Sequence, residues 1–381
     1  MQSFICSRFF DAYLIASRSS SVGAMIKEQE YLELVRLADN DKAVVPKWLA
    51  RMLKRLGSLD VSGERLSSVI LVRRPSALGF GKASYEITEK CNYRCRHCYL
   101  GEKLAMELPL EGKKQVLKKI QEAGCLWLQI TGGEPLASPD FVETYNFAYS
   151  LGFLITISTN GSLLGTQKLT DALSACPPYR LTVSLYGASA KSYETLTQVP
   201  GSFKKFNEGI EWAKELQIRT RLNIIVTKYN ASERKAMIAI ADRMGFARRV
   251  FSGLSPTLGG DKIPIEVMAT GCDNMPVGGH DESSAMSCQA GKRFFHVDAT
   301  GRMCICKLAR SPSVDLLTRG EAAFADITTI SEEVLKPLNV CSGCLIKGAC
   351  PSCSPRLALY ARSGTVPKNV CQSGLLLPQR R

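Results

Sequence analysis

Between residues 83 and 254 the sequence alternates short β-rich runs with longer amphipathic ones, and this alternation confines the segment to a parallel α/β architecture. The strand-like runs are ASYEIT (83–88), LWLQIT (126–131), LITIST (154–159), RLTVSLY (180–186), RLNIIVT (221–227) and RVFSGL (249–254). Between them, LEGKKQVLKKIQEAG, DFVETYNFAYSLG, SFKKFNEGIEWAKELQ and ASERKAMIAIADRMG carry apolar residues at helical spacing, and Gly124, Gly152 and Gly245 stand where helices would end. Six strand and helix units are too few for a closed eight-fold barrel. The predicted fold is therefore α/β, a partial (β/α)6 TIM-like barrel over residues 81–255, with its site at the carboxyl ends of the strands.

The flanks read differently. Residues 1–24 mix Arg and Ser with one acidic residue, which predicts an unstructured lead before Met25 or an amphipathic targeting segment. Further on, KEQEYLELVRLA and PKWLARMLKRL predict helices and SSVILVRR a strand, so residues 1–80 form an N-terminal extension that is partly helical and suited to docking a peptide. From 256 to 381 the pattern breaks into Gly, Pro, Ser and Cys. Too little apolar periodicity remains to build a core unaided, and bound metal clusters would supply the missing stabilisation.

Composition sets the outer limits. With 45% hydrophobic and 22% charged residues the chain is a globular protein, not a disordered one, and no apolar run approaches the ~20 residues of a membrane span. The expected location is cytoplasmic. A formal net charge of +14 suits an acidic partner, but the basic residues are scattered over helix faces and select no partner by themselves. Fifteen cysteines in a chain of 381 residues without a signal peptide point to metal binding, not to a disulfide framework.

The stretch TEKCNYRCRHCYLG places Cys91, Cys95 and Cys98 just past the first predicted strand. Structural metal sites close their coordination sphere with four protein ligands, so three thiolates leave a position for something that reacts. A zinc site or unrelated loop cysteines would be the bland explanation of the triplet alone. Joined to GGEP (132–135) after the second strand and STNG (158–161) after the third, the CxxxCxxC spacing resembles the radical S-adenosylmethionine (radical SAM) superfamily. That resemblance implies a 4Fe–4S cluster on the three thiolates whose fourth iron binds S-adenosyl-L-methionine. It also implies cofactor contacts from Gly132, Gly133, Glu134 and Pro135, from Ser158 and Asn160, and from Ser184 at the end of the fourth strand. His97 is expected to pack beside the cluster, and Cys125 and Cys176 to be buried as small hydrophobes.

The C-terminal cysteines run C-x12-G-x4-C from Cys288 through Gly301 to Cys306, then CxxCx5CxxC from Cys341 to Cys353, then Cys371. This looks like the SPASM extension of radical SAM enzymes, which implies two auxiliary 4Fe–4S clusters and three clusters in all. In that pattern Cys341, Cys344, Cys350 and Cys371 hold one cluster. Cys288, Cys306 and Cys353 hold the other, whose fourth ligand is Cys272, then Cys304, or an open iron. The last pair is separated by two residues where the family more often has three, and a zinc ribbon is the structural alternative for CxxCx5CxxC.

The SPASM resemblance, together with VPGSF (199–203) at the start of a helix, implies a maturase acting on a ribosomally made precursor peptide or protein, with ferredoxin or flavodoxin as electron donor. The modification would be a cross-link, an epimerisation or an oxidation. The alternative within the same chemistry is formylglycine formation by an anaerobic sulfatase maturase, in which an Asp follows the cysteine equivalent to Cys306; here Lys307 follows. An iron–sulfur or zinc protein that binds nucleic acid is the remote alternative, and it leaves GGEP and the open triplet unexplained.

Overall fold

A computed structural model describes residues 2–57, 60–269, 288–344 and 353–365. The chain opens not with a lead but with a small sheet: β1 (Phe4–Phe9), β2 (Ala12–Ser17) and β3 (Gly23–Ile26), joined by β4 (Ile70–Val72) in the order β3-β2-β1-β4. β1 and β2 form an antiparallel hairpin and β4 adds parallel to β1. Helices Glu28–Leu37 and Lys47–Arg55 cover one face, with Phe4, Cys6, Ile15, Tyr31, Leu34, Leu49 and Leu53 in a common core. The expectation of an unstructured lead over residues 1–24 is thus corrected. Its Arg and Ser mask two strands whose apolar residues are buried on both faces, which erases the two-residue alternation that marks a half-exposed strand.

The second face packs on the main domain. Ile5 meets Leu126 and Leu154, and the buried Arg18 donates to the Tyr149 carbonyl in the last turn of helix Phe141–Ser150 while stacking over the Tyr149 ring. Leu126 and Leu154 lie at the amino ends of two central strands, so the small sheet sits at the end of the domain opposite the strand carboxyl ends.

The six predicted strands are all present: β5 (Lys82–Glu86), β6 (Trp127–Thr131), β7 (Leu154–Thr159), β8 (Arg180–Leu185), β9 (Thr220–Ile225) and β10 (Ala247–Phe251). Each pairs in parallel with the next, as a chain of right-handed crossovers produces. The sheet stays open, ending at β10. One face, with Leu128, Ile130, Ile157, Val183, Leu222 and Ile224, is packed under the helices. The other carries polar residues in register: Ser84 beside Gln129, Ser158 beside Thr182, and Ser184 beside Asn223.

Among the described residues beyond 255, the apolar side chains join the core of the main domain. β11 (Phe294–Val297) adds parallel to β5, and β12 (Arg302–Cys304) and β13 (Val314–Asp315) follow antiparallel, giving nine strands in the order β10-β9-β8-β7-β6-β5-β11-β12-β13. Phe295, Val297, Met303, Ile305 and Phe324 join the same apolar cluster as the barrel strands. The low periodicity of this region reflects a core shared with its neighbour. No described helix is long and apolar enough to cross a membrane.

Candidate functional site

The loop leaving β5 holds Cys91, Cys95 and Cys98, all partly exposed. Its backbone is held from across the barrel: the Arg94 and Arg96 N–H groups donate to the carbonyls of Thr197 and Leu196 at 3.1 and 3.0 Å, at the end of helix Ala190–Thr197. The Tyr93 hydroxyl reaches the Ser202 carbonyl at 3.3 Å. Within the loop the Tyr93 N–H points at Cys91 Sγ, 3.4 Å away, and its carbonyl accepts from Lys103 Nζ at 3.0 Å. Burial pushes the Cys91 and Cys95 thiols up. Burial works against the Lys103 ammonium too, but Cys98, Cys91 and Cys95 together hold its pKa above the usual lysine value, so one cation faces all three sulfurs.

The GGEP loop closes on this one. A Cβ on Gly132 would stand 2.3 Å from the Thr88 carbonyl oxygen, and one on Gly133 would stand 2.4 Å from those of Glu89 and Lys90. Gly133 and Glu134 donate their N–H groups to Thr88 and Lys90 at 2.9 and 2.8 Å. Only glycine permits this approach, and it fixes the strand-end loops that flank the thiols. Glu134, fully buried, accepts from the Thr159 hydroxyl (2.7 Å), the Asn160 N–H (2.6 Å) and the Leu136 N–H (3.1 Å). Burial raises its pKa to about 7 against the pull of those donors. It is a strut between the loops after β6 and β7.

Asn160 is committed to the same scaffold: its amide donates to Asn92 Oδ1 at 2.9 Å and accepts from Ser162, tying the loop after β7 to the cysteine loop. Ser158 Oγ accepts from Gln129 Nε2 at 2.6 Å, and Ser184 lies beside Asn223, whose buried Oδ1 has no hydrogen-bond partner among the described residues. The His97 ring stands 4.8 Å from that of Tyr186, and burial lowers its pKa to about 4, so it packs as a neutral imidazole beside the thiols. Pro135 opens a short 3-10 turn. Outside the loop, Lys113 is buried between Asp140 (2.5 Å), Ser138 (2.8 Å) and Glu107 (3.4 Å), and Glu107 in turn holds Lys90 at 2.7 Å.

A second group was not singled out from the sequence. Glu86, the last residue of β5, is buried, and Arg310 grips it with both terminal nitrogens at 2.8 and 2.5 Å. The Tyr99 hydroxyl, one residue past Cys98, donates to it at 3.2 Å, and His296 Nε2 lies 3.6 Å away. Burial alone would raise the Glu86 pKa, but His296, Arg310 and Tyr99 outweigh it and hold the carboxylate ionised below the usual range. An acidic residue at the carboxyl end of a strand in a parallel sheet was the one available signal, and its partner lies 224 residues away.

Of the C-terminal cysteines, Cys353 is raised in pKa chiefly by burial, with Cys306 and Cys288 near enough to add to the effect. Cys304 is buried and its thiol donates to the Cys306 carbonyl at 3.4 Å. Cys341 and Cys344 flank a single turn, with the Cys344 N–H on the Cys341 carbonyl at 3.1 Å. Cys272, Cys350 and Cys371 lie outside the described residues. Cys125 and Cys176 are buried as expected.

Among the described residues no three His, Cys, Asp or Glu side chains converge closely enough to hold a single metal ion. A 4Fe–4S cluster takes each thiolate on a different iron, and soft thiolates suit iron–sulfur better than hard ions. The donor set at Cys91, Cys95 and Cys98 fits such a cluster, with Lys103 balancing its charge.

An open parallel sheet whose first strand ends in three partly exposed thiols, braced by a glycine–glycine–acid loop, defines a radical SAM domain, and residues 85–241 match the family model of the radical SAM superfamily. Such a domain implies a 4Fe–4S cluster and S-adenosylmethionine. The chain is 30% identical over 182 residues to the AdoMet-dependent heme synthase of Methanosarcina barkeri, covering 47% of this chain and 52% of that protein. It is 24% identical over 222 residues to the mycofactocin maturase MftC of Mycobacterium tuberculosis, covering 58% and 56%. The chain thus spans about half the length of the curated relatives it matches. In fold it is similar to Streptococcus suis SuiB (TM-score 0.59, 15% identity, 98% of this chain and 99% of that one) and to anSMEcpe with bound AdoMet (0.53, 14%, 78% and 95%).

Proposed function

We propose that this protein is a peptide-modifying radical SAM maturase with two auxiliary 4Fe–4S clusters. The observation that carries the reading is the joining of three parts in one body: a peptide-sized sheet at the amino terminus, the open triplet at Cys91, Cys95 and Cys98, and a cysteine-bearing extension added to β5. The fold likeness to SuiB runs across all three, and SuiB has a structure bound to its precursor peptide SuiA.

When bound, the cluster and S-adenosylmethionine supply a 5'-deoxyadenosyl radical that abstracts hydrogen from the substrate, the chemistry belonging to the cofactor. The chain's own work is to place and shield. Cys91, Cys95 and Cys98 would hold the cluster, with Gly132 to Pro135, Ser158, Asn160 and Ser184 around the cofactor. The loops braced by Glu134 and Asn160 keep those groups in register, and His97 with Tyr186 excludes water from the sulfurs. Cys288, Cys306 and Cys353, with Cys272, would hold one auxiliary cluster, and Cys341, Cys344, Cys350 and Cys371 the other. These centres would take up the electron left by the oxidation, and ferredoxin or flavodoxin would supply the first.

At the opposite end, β3 pairs with β2 alone among the described residues, so its outer edge offers backbone groups to an extended peptide, with Met25 exposed beside it. A net charge of +14 favours an acidic leader.

Co-expression with short acidic precursor peptides, read by mass spectrometry, tests the reading. A peptide mass or stereochemical change that requires Cys91, Cys95 and Cys98 is the expected result; cofactor cleavage that never modifies a peptide would contradict it. The second reading is a small-molecule substrate, favoured by the 30% identity to heme synthase within the shared domain.

A further inference from the structure

The cysteine loop carries cations on its solvent side. Arg94 and Arg96 stand on either side of Cys95 in the chain, and both are exposed while the carbonyls of Thr197 and Leu196 hold their backbone N–H groups. Arg96 Nε also donates to the Thr195 carbonyl at 3.3 Å, and its guanidinium lies 5.9 Å from the centre of the Tyr229 ring. Lys228 Nζ lies 5.4 Å from the same ring, so two exposed cations share one half-buried aromatic side chain. Lys191, also exposed, stands one turn before Thr195, whose hydroxyl donates to the Lys191 carbonyl at 2.6 Å. On the other side of the loop, Lys103 donates to the Tyr93 carbonyl and is followed by Leu104 and Met106, which are 69% and 45% exposed. The Glu89 carboxylate fixes that segment by accepting from the N–H groups of both, at 3.2 and 3.4 Å.

Elsewhere on the barrel the surface lysines are matched: Lys114, Lys119 and Lys168 pair with Glu111, Glu122 and Glu143. Here they are not. Arg94, Arg96, Lys191 and Lys228 form no ion pair among the described residues, and Glu102 and Glu194 are the only acidic residues in the segments 91–106, 190–197 and 228–229. Unmatched cations beside exposed apolar side chains suit a transient interface, in which charge steers the encounter and apolar contact holds it. Position then selects the partner. Electron transfer weakens steeply with distance, and this surface is the outer side of the loop whose thiolates would hold the cluster. A low-potential carrier keeps negative charge around its redox centre, because that charge disfavours the added electron, so its docking face is acidic.

We propose that this surface docks an acidic one-electron carrier protein, with Arg94, Arg96, Lys191 and Lys228 meeting its carboxylates and Leu104 and Met106 the apolar rim of its redox centre. The carrier's reduced centre gives up one electron and is oxidised by one. The electron passes to the cluster that Cys91, Cys95 and Cys98 would hold. This rests on the radical SAM reading of the triplet and not on the identity of the substrate.

The test uses the reconstituted full-length protein with S-adenosylmethionine, titrated with an oxidised flavodoxin in a calorimeter. Binding by the wild type should weaken at least about tenfold between about 50 and about 300 mM salt. A variant with Lys191→Glu and Lys228→Glu, both far in sequence from the cysteines, should bind flavodoxin at least about tenfold more weakly than the wild type at the lower salt. It should also form less 5'-deoxyadenosine when reduced flavodoxin is the donor, and as much as the wild type when dithionite is. No binding by the wild type, full affinity in the variant, or an equal fall with both donors overturns the proposal. So does a single-stranded RNA that displaces flavodoxin, which marks a nucleic-acid surface, or a polyglutamate peptide that binds as tightly as flavodoxin, which marks a face for acidic peptides. Failure of the radical SAM reading has a separate signature: no 5'-deoxyadenosine from the wild type with dithionite, whatever the binding data say.

Discussion

The guanidinium of Arg310 lies across the carboxylate of Glu86 at 2.8 and 2.5 Å, bonding the first barrel strand directly to the segment that bears Cys306. Removing either partner strands a charge in a buried place, and single losses of this kind cost about 3–5 kcal/mol. Glu86→Ala and Arg310→Met should each destabilise the protein by about that much, and the double variant by clearly less than their sum. Chemical denaturation of the four proteins measures the coupling; additive effects would show that the pair is not a working contact.

His296, on β11, is buried and hydrogen-bonded to Ser84 at 2.8 Å. Its imidazole stays neutral in the fold down to about pH 4, whereas in the unfolded chain it takes its proton near 6.5. Between those values the unfolded state binds the extra proton, so this group's contribution to stability falls as pH falls, by up to roughly 1.4 kcal/mol per pH unit. Relative to His296→Phe, the wild type should lose stability from pH 6.5 towards pH 4 and run parallel to the variant above pH 7. Parallel curves throughout would show a histidine that titrates normally.

Gly133 packs backbone to backbone against the cysteine loop. Gly133→Ala should push that loop outward, costing about 1–3 kcal/mol and loosening the hold on iron at the triplet. Iron analysis and a melting curve test both consequences. Full iron with an unchanged melting temperature would mean that the loops adjust without cost.

Lys113 is a buried ammonium between Asp140 and Glu107. Lys113→Met leaves two carboxylates facing each other with their cation removed and should cost about 3–5 kcal/mol, with the cysteine loop loosened through Lys90. Unfolding by denaturant gives the number. A loss under about 1 kcal/mol would mark the pair as solvent-screened.

The barrel and the triplet were legible because both are local. Each strand of β5 to β10 is a short apolar run, and CxxxCxxC lies within eight residues. The small sheet was hidden because Ile5 and Cys6 are both buried, one against each layer, so β1 never alternates. Arg310 could not be matched to Glu86, since nothing in the chain records a contact across 224 residues. The motifs STNG and GGEP point to Asn160 and Glu134 as site residues. Their hydrogen bonds show why the types are needed there: each joins two loops that the sequence lists far apart.

The central claim is that Cys91, Cys95 and Cys98 hold a cluster that works with S-adenosylmethionine. The most direct measurement is anaerobic reconstitution of the wild type and of the triple alanine variant at these positions, followed by iron analysis and assay of 5'-deoxyadenosine after reduction. The account predicts that the wild type forms 5'-deoxyadenosine and that the variant holds about four fewer irons and forms none. A fully loaded wild type that leaves the cofactor intact, or a variant that cleaves it equally well, would contradict it.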